Sequence, residues 1–175
     1  MRNTGQSKFT TNYDGLFEIF CTEPQLLTYV KSTYSNWHED RKWDFTCDSS
    51  SYFRLSNQRP KCNWSGYIND YDKPVMYQCL RNGFIQGIRS VHSNYYEDRR
   101  WDFYCCSYEE YSVTDCYTTG QLNQYDHSFE YHIPDGHVLR GVSSTHHNYY
   151  EDRLFWFQLC RLNNVSSVNG EYMDA

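Results

Sequence analysis

The chain writes one phrase three times: "NWHEDRKWDF" at 36–45, "NYYEDRRWDF" at 94–103 and "NYYEDRLFWF" at 148–157. From Glu39 to Glu97 is 58 residues and from Glu97 to Glu151 is 54, and a period of that size marks repeated supersecondary units stacked on a shared core. The match extends upstream. With the offset of 54, Cys62, Gly66, Asn69, Tyr71, Asp72 and Tyr77 fall on Cys116, Gly120, Asn123, Tyr125, Asp126 and Tyr131; with the offset of 58, Tyr71 and Asp72 fall on Tyr13 and Asp14. The units therefore run over 1–58, 59–115 and 116–175, and a chain of 175 residues in three such units is read as a single domain.

Read through that register, the eight cysteines name their own partners. Cys21 and Cys47 correspond to Cys79 and Cys105 in the second unit and to Ile133 and Leu159 in the third. Cys62 and Cys106 correspond to Cys116 and Cys160, and to Thr4 and Asp48 in the first unit. Each pair is kept or lost together. Spacing alone leaves 105 pairings of eight cysteines open, but paired loss across repeats predicts Cys21–Cys47, Cys79–Cys105, Cys62–Cys106 and Cys116–Cys160. The apolar replacements Ile133 and Leu159 place the first bridge type in the core; the polar replacements Thr4 and Asp48 place the second near the surface. Bridges at this density, with no zinc-type cysteine cluster, point to an oxidising, extracellular setting.

Eighteen tyrosines, ten phenylalanines and five tryptophans bring the aromatic share to 19%, a composition suited to strands. In "RRWDFYCC", Trp101, Phe103 and Cys105 alternate with Asp102, Tyr104 and Cys106, so period two predicts that the first set faces inward and the second outward. "VMYQC" and "FIQGIRSVHS", parted by "LRNG", are predicted to form a hairpin with a turn at Asn82-Gly83, and "IPDG" at 133–136 does the same in the third unit. No segment carries a convincing amphipathic helix. The expected fold is all-β, disulfide-braced and pseudo-threefold. It is a β-prism, with three sheets around one core, or alternatively a β-trefoil.

The segments "HEDRKWDFTC", "YEDRRWDFYCC" and "YEDRLFWFQLC", each following a hairpin, resemble the dermatopontin family of tyrosine-rich acidic matrix proteins, and within it the invertebrate hemagglutinin/amebocyte aggregation factor branch. The resemblance runs from Asp14 to Leu162. The third copy departs from it, with Phe155 at the Trp position and Trp156 following. The resemblance implies an extracellular, non-enzymatic protein of matrix assembly, adhesion or aggregation, with glycan or glycosaminoglycan binding in several members.

The repeated loops can be weighed on their own chemistry. A sugar needs an aromatic face for its C–H patch and planar amide or carboxylate groups for its hydroxyls. Asn36, Trp37, His38, Glu39, Asp40 and Arg41 supply both, as do Asn94, Tyr95, Tyr96, Glu97, Asp98 and Arg99, and Asn148, Tyr149, Tyr150, Glu151, Asp152 and Arg153. These are the candidate ligand-binding residues. The competing account is architectural: Asp-Arg pairs bridging a turn, with Asn and Asp as turn caps. Three weak sites on one rigid body would act by multivalency and agglutinate cells. The partners expected are cell-surface or matrix glycans, including glycosaminoglycans. A structural matrix protein binding collagen or other proteins is the alternative, and a membrane-active defence protein ranks last.

Other classes fit less well. A net charge of −6 with no dense basic run argues against nucleic acid. No stretch is long and apolar enough for a transmembrane helix, and "MRNTGQSKFTTN" lacks the apolar centre of a signal peptide, so the numbering is read as starting on a mature or engineered chain. No catalytic motif is present, and no enzyme is expected. No cofactor is expected; calcium is the one ion the hard oxygens of the loops leave open, although three or four ligands per loop fall short of a full shell. His92 and His146 align with Tyr34, which argues against a required metal ligand there. Asn63 and Asn164 open N-glycosylation sequons. Tyr108 and Tyr111 sit beside acids in a setting that permits sulfation.

Overall fold

A computed structural model describes residues 5–54 and 59–165 of the chain. The described residues form twelve strands: β1 (Ser7–Thr10), β2 (Phe17–Phe20), β3 (Gln25–Ser35), β4 (Asp40–Ser49), β5 (Lys61–Trp64), β6 (Val75–Gln78), β7 (Phe84–Ser93), β8 (Asp98–Ser107), β9 (Tyr111–Thr118), β10 (Phe129–His132), β11 (His137–His147) and β12 (Asp152–Asn164). They form three four-stranded antiparallel sheets, ordered β1-β4-β3-β10, β2-β7-β8-β5 and β6-β11-β12-β9. Three sheets around one core is the prism arrangement.

Each repeat contributes four strands, but no sheet is built from one repeat. The second strand of each repeat crosses to a neighbouring sheet: β2 pairs with β7, β6 with β11, and β10 with β3. This corrects the two hairpins expected at 75–93 and 129–147. The turn signals are real, since the Gly83 amide donates to the Leu80 carbonyl and the His137 amide to the Pro134 carbonyl. A turn fixes only the local reversal, however, and the strands on either side go to different sheets. The true hairpins are β3/β4, β7/β8 and β11/β12, each with one register shift, at Leu27/Tyr29, Ile85/Gly87 and Leu139/Gly141. At the last two, a Cβ on Gly87 would meet the Ile19 carbonyl at 2.8 Å and one on Gly141 the Tyr77 carbonyl at 2.6 Å. Glycine lets the exchanged strand come that close.

Inward-facing aromatics from the three long hairpins meet at the centre. The rings of Trp43, Trp101 and Phe155 stand mutually edge-on, with centroids 5.2, 5.1 and 5.9 Å apart, a geometry that suits the quadrupoles of the rings. The third copy thus fills its corner with Phe155 in place of a Trp. Phe45, Phe103 and Phe157 lie in the same buried cluster.

All four expected disulfides are formed: Cys21–Cys47, Cys79–Cys105, Cys62–Cys106 and Cys116–Cys160. The first type lies in the central cluster, which Ile133 and Leu159 complete in the third repeat. The second type is only half superficial. Cys116 is exposed, but Cys106 and Cys160 are buried in a second apolar cluster with Phe53, Phe84, Tyr108 and Tyr111. The outward set of the β8 alternation is therefore covered as well. Cys106 packs in that second cluster, and Asp102 is fully buried where it accepts from Arg89 and Ser65. Burial of Tyr108 and Tyr111 also removes them as accessible sulfation sites.

Candidate functional site

Each long hairpin turns through four residues, 36–39, 94–97 and 148–151, between the closing pairs Ser35↔Asp40, Ser93↔Asp98 and His147↔Asp152. The last loop residue, Glu39, Glu97 or Glu151, lies in the left-handed region at φ 46–47°. The turns are capped by the residue before the Asn: Ser35 Oγ accepts from the His38 amide, Ser93 Oγ from the Tyr95 and Tyr96 amides, and His147 Nδ1 from the Tyr149 amide. All three Asn residues are exposed, although the side-chain oxygens of Asn94 and Asn148 meet His92 and His146 Nδ1 at 3.1 Å.

The Asp-Arg pair that follows is buried and works between repeats. Arg99 of the second repeat holds Asp40 of the first, Arg153 of the third holds Asp98 of the second, and Arg41 of the first holds Asp152 of the third. Every contact is two-pronged, Nε to Oδ1 and Nη2 to Oδ2, at 2.6–2.7 Å. The same aspartates accept the backbone amides of Asp14, Asp72 and Asp126 at 2.8–2.9 Å, and the arginines reach Ser32, Ser90 and Ser144. Three pairs close a ring around the pseudo-threefold axis. Buried charge of this kind is tolerated only when paired and hydrogen-bonded.

The aromatic residues of the loops divide in two. The second of each loop stacks on a tyrosine from the preceding segment of its own repeat: His38 on Tyr13 at 4.6 Å, Tyr96 on Tyr71 at 4.9 Å and Tyr150 on Tyr125 at 4.5 Å, with interplanar angles of 8–10°. The first of each loop stands out into solvent. Trp37 is 90% exposed, Tyr95 86% and Tyr149 83%. Tyr95 and Tyr149 stand edge-on to their stacked neighbours, at 4.9 and 5.1 Å. Each loop thus presents a free ring beside a braced ring, with an exposed amide.

Between the loops, Glu39, Glu97 and Glu151 line one recess together with the Asp-Arg ring. Partial burial pushes the carboxyls of Glu97 and Glu151 up from their ordinary value. Neighbouring histidines oppose this, and the surrounding carboxylates add to it. Burial also raises the Tyr34 phenol, whose hydroxyl donates to the carbonyls of Tyr150 and Glu151 and so ties the first repeat to the third loop.

The structure therefore gathers the candidate ligand-binding residues at one place but in two layers. Asp40, Asp98, Asp152, Arg41, Arg99 and Arg153 lie in the buried ring, while the Asn residues and leading aromatics are exposed above it. Sequence reasoning gave no role to Tyr13, Tyr71 and Tyr125, although the repeat register had already marked these positions. Asn63 is exposed on β5; Asn164 is described, but Ser166 of its sequon lies outside the described residues. Among the described residues no helix is long and apolar enough to cross a membrane.

Comparison with known proteins bears on the same stretch. The sequence profile described as Dermatopontin matches residues 11–164. The chain is 37% identical over 164 residues to the hemagglutinin/amebocyte aggregation factor of Limulus polyphemus, covering 92% of this chain and 91% of the relative. It is 35% identical over 145 residues to the dermatopontin of Biomphalaria glabrata, covering 83% and 94%. It is 35% identical over 117 residues to Millepora cytotoxin-1 of Millepora dichotoma, covering 67% of this chain and 52% of that protein. No solved structure matches the chain with significance.

Proposed function

The chain belongs to the dermatopontin family, and from that premise we propose that it is a secreted, multivalent carbohydrate-binding protein that aggregates cells or particles by cross-linking their glycans. The observation that carries this reading is the trio Trp37, Tyr95 and Tyr149: three large apolar rings held almost wholly in water, at equivalent places, above an ion-pair ring that rigidifies the loops beneath them. Core packing gives no reason for exposing them. A sugar ring laid on such a face would exchange its apolar patch for water, and Asn36, Asn94 and Asn148 would meet its hydroxyls. Tyr and Trp lose little side-chain entropy on binding.

Three like sites fixed on one body raise the effective concentration of each at a glycan-coated surface, so weak individual contacts suffice for aggregation. The relative named a hemagglutinin and aggregation factor supports the same reading. Binding requires no proton transfer or nucleophile from these loops, and we assign the protein no catalytic role. Disulfide bracing and the Asn63 sequon fit an extracellular glycoprotein.

The test is a glycan array that includes sulfated and neutral polysaccharides, run first with calcium and then with EDTA. Sugar-inhibited binding is the expected result, and its loss in EDTA with recovery on added calcium but not on added zinc would add calcium to the site. A blank array from folded protein would overturn the glycan reading in favour of a matrix component that binds protein.

A further inference from the structure

His92 and His146 sit at equivalent places on β7 and β11, where β3 carries Tyr34. Their side chains are 0% and 1% exposed. Each Nδ1 lies 3.1 Å from the side-chain oxygen of the Asn two residues on, Asn94 or Asn148; in the tautomer in which Nδ1–H donates to that oxygen, Nε2 is open to a metal. Both Nε2 atoms are buried without a hydrogen-bond partner. They face carboxylates. His92 Nε2 is 3.7 Å from Glu97 Oε2 and 4.0 Å from Asp40 Oδ1; His146 Nε2 is 3.5 Å from Glu151 Oε2 and 3.9 Å from Asp98 Oδ1.

A third carboxylate closes each cluster, Asp14 at 3.8 Å from His92 Nδ1 and Asp72 at 3.5 Å from His146 Nδ1. Asp72 Oδ1 is itself buried and unpartnered. One donor atom from each of Asp14, Asp40 and His92, and likewise from each of Asp72, Asp98 and His146, lie within 4.8 Å of one another. Around His146 the carboxylates of Asp72, Asp98 and Glu151 converge, and Arg153 pairs with Asp98 alone among them. A cation at Nε2, a metal ion or a proton, offsets the negative charge facing it.

We propose that these clusters are two divalent-metal sites of the zinc class, each formed by a histidine imidazole with the two Asp carboxylates that converge on it, Asp14 and Asp40 at His92 and Asp72 and Asp98 at His146, with Glu97 or Glu151 3.5–3.7 Å from Nε2, and that the third equivalent position holds no ion. Imidazole nitrogen among few oxygens suits zinc better than calcium, which takes six to eight oxygens. Donor atoms about 2.0–2.2 Å from zinc stand roughly 3.3–3.5 Å apart in a tetrahedron, and the donors here lie within 4.8 Å of one another, so the carboxylates draw in by about 1.5 Å at most when the ion binds. The Asn94 and Asn148 contacts match the way a ligating histidine is oriented through its other nitrogen. Asp40 and Asp98 are held in turn by Arg99 and Arg153, leaving one lone pair on each Oδ1. At the third position, the Tyr34 hydroxyl is already spent on two carbonyls. No free cysteine competes for the ion.

This inference does not depend on glycan binding, because zinc retention is read without sugar. The purified protein is loaded with Zn²⁺, dialysed and assayed for metal, beside the variants His92→Tyr, His146→Tyr and the pair together. Tyr34 shows that the fold accepts tyrosine at this position, and the five other histidines remain in every variant as controls. The expected result is two zinc ions per wild-type chain, one per single variant and none in the double variant, with a zinc-dependent rise in melting temperature that the double variant lacks. No retention by folded wild-type protein overturns the proposal, as does equal retention by the double variant. Imidazole nitrogen shifts showing both rings doubly protonated in zinc-loaded protein would give the place of the metal to a proton, and would overturn it too.

Discussion

The guanidinium of Arg99 lies flat against the carboxylate of Asp40, Nε to Oδ1 and Nη2 to Oδ2 both at 2.7 Å, although the two residues are 59 positions apart and belong to different repeats. With Arg153–Asp98 and Arg41–Asp152, this contact locks three sheets to one another at the mouth of the core. Removing one partner leaves a buried charge unpaired. Asp98→Asn is therefore expected to cost about 3–5 kcal/mol, read as a fall in the urea midpoint. The double variant Asp98→Leu with Arg153→Met should recover much of that loss, because it removes the stranded charge as well as the attraction. A cost below about 1 kcal/mol for Asp98→Asn, the range of exposed pairs, would count against a structural role for the ring.

The exposed rings should behave oppositely. Trp37→Ala, Tyr95→Ala and Tyr149→Ala combined should leave stability within about 0.5 kcal/mol per site, as for surface positions with few contacts. Unfolding curves of the triple variant that fall well below wild type would show that the rings pack somewhere in the folded protein.

The third repeat offers a natural replacement for a core disulfide. Cys79→Ile with Cys105→Leu, copying Ile133 and Leu159, should fold and lose about 3 kcal/mol or less of the cross-link's contribution. Cys79→Ser with Cys105→Ser should lose more, because Cys79 is wholly buried and a serine hydroxyl there lacks an assured partner. Thermal unfolding of the two variants side by side checks the order; serine equal to or better than isoleucine and leucine would contradict the placement of this bridge in the core.

The raised carboxyls of Glu97 and Glu151 fix a sign for pH dependence. A folded-state value above the ordinary 4.5 means that the protonated form is favoured by folding. Their contribution is present in full below the unfolded value and is lost as pH rises through the folded one. In EDTA-treated protein, Glu97→Gln and Glu151→Gln should therefore stabilise at pH 7 by about 0.5 kcal/mol or less, given solvent screening, and the gain should vanish below about pH 4. A gain that persists at low pH would point to a cause other than ionisation.

Much of this was legible in the sequence because repetition carries information that a single unit does not. The joint loss of Cys21 and Cys47 equivalents at Ile133 and Leu159 named a bridge and placed it in the core. The all-β class and the prism followed from alternation along strands such as 101–106. Strand exchange was not legible: the turns at Leu80–Gly83 and Pro134–His137 look like hairpin turns, and local chemistry does not say which sheet the next strand joins. The layering of the loops was hidden for a related reason. Asp40 and Arg41 sit one and two residues beyond an exposed loop, and only the partner repeat, far away in sequence, explains why they are buried. The burial of His92 is not legible either, because alignment with Tyr34 shows that the position varies between repeats and says nothing of what surrounds it.

Glycan binding by the three exposed rings is tested by running wild-type protein and the Trp37→Ala, Tyr95→Ala, Tyr149→Ala triple variant on one glycan array, with matched unfolding curves. Sugar-inhibited binding by the wild type, abolished in a triple variant that melts at the same temperature, is the expected outcome. Binding that survives intact in the folded triple variant would take the rings out of the site.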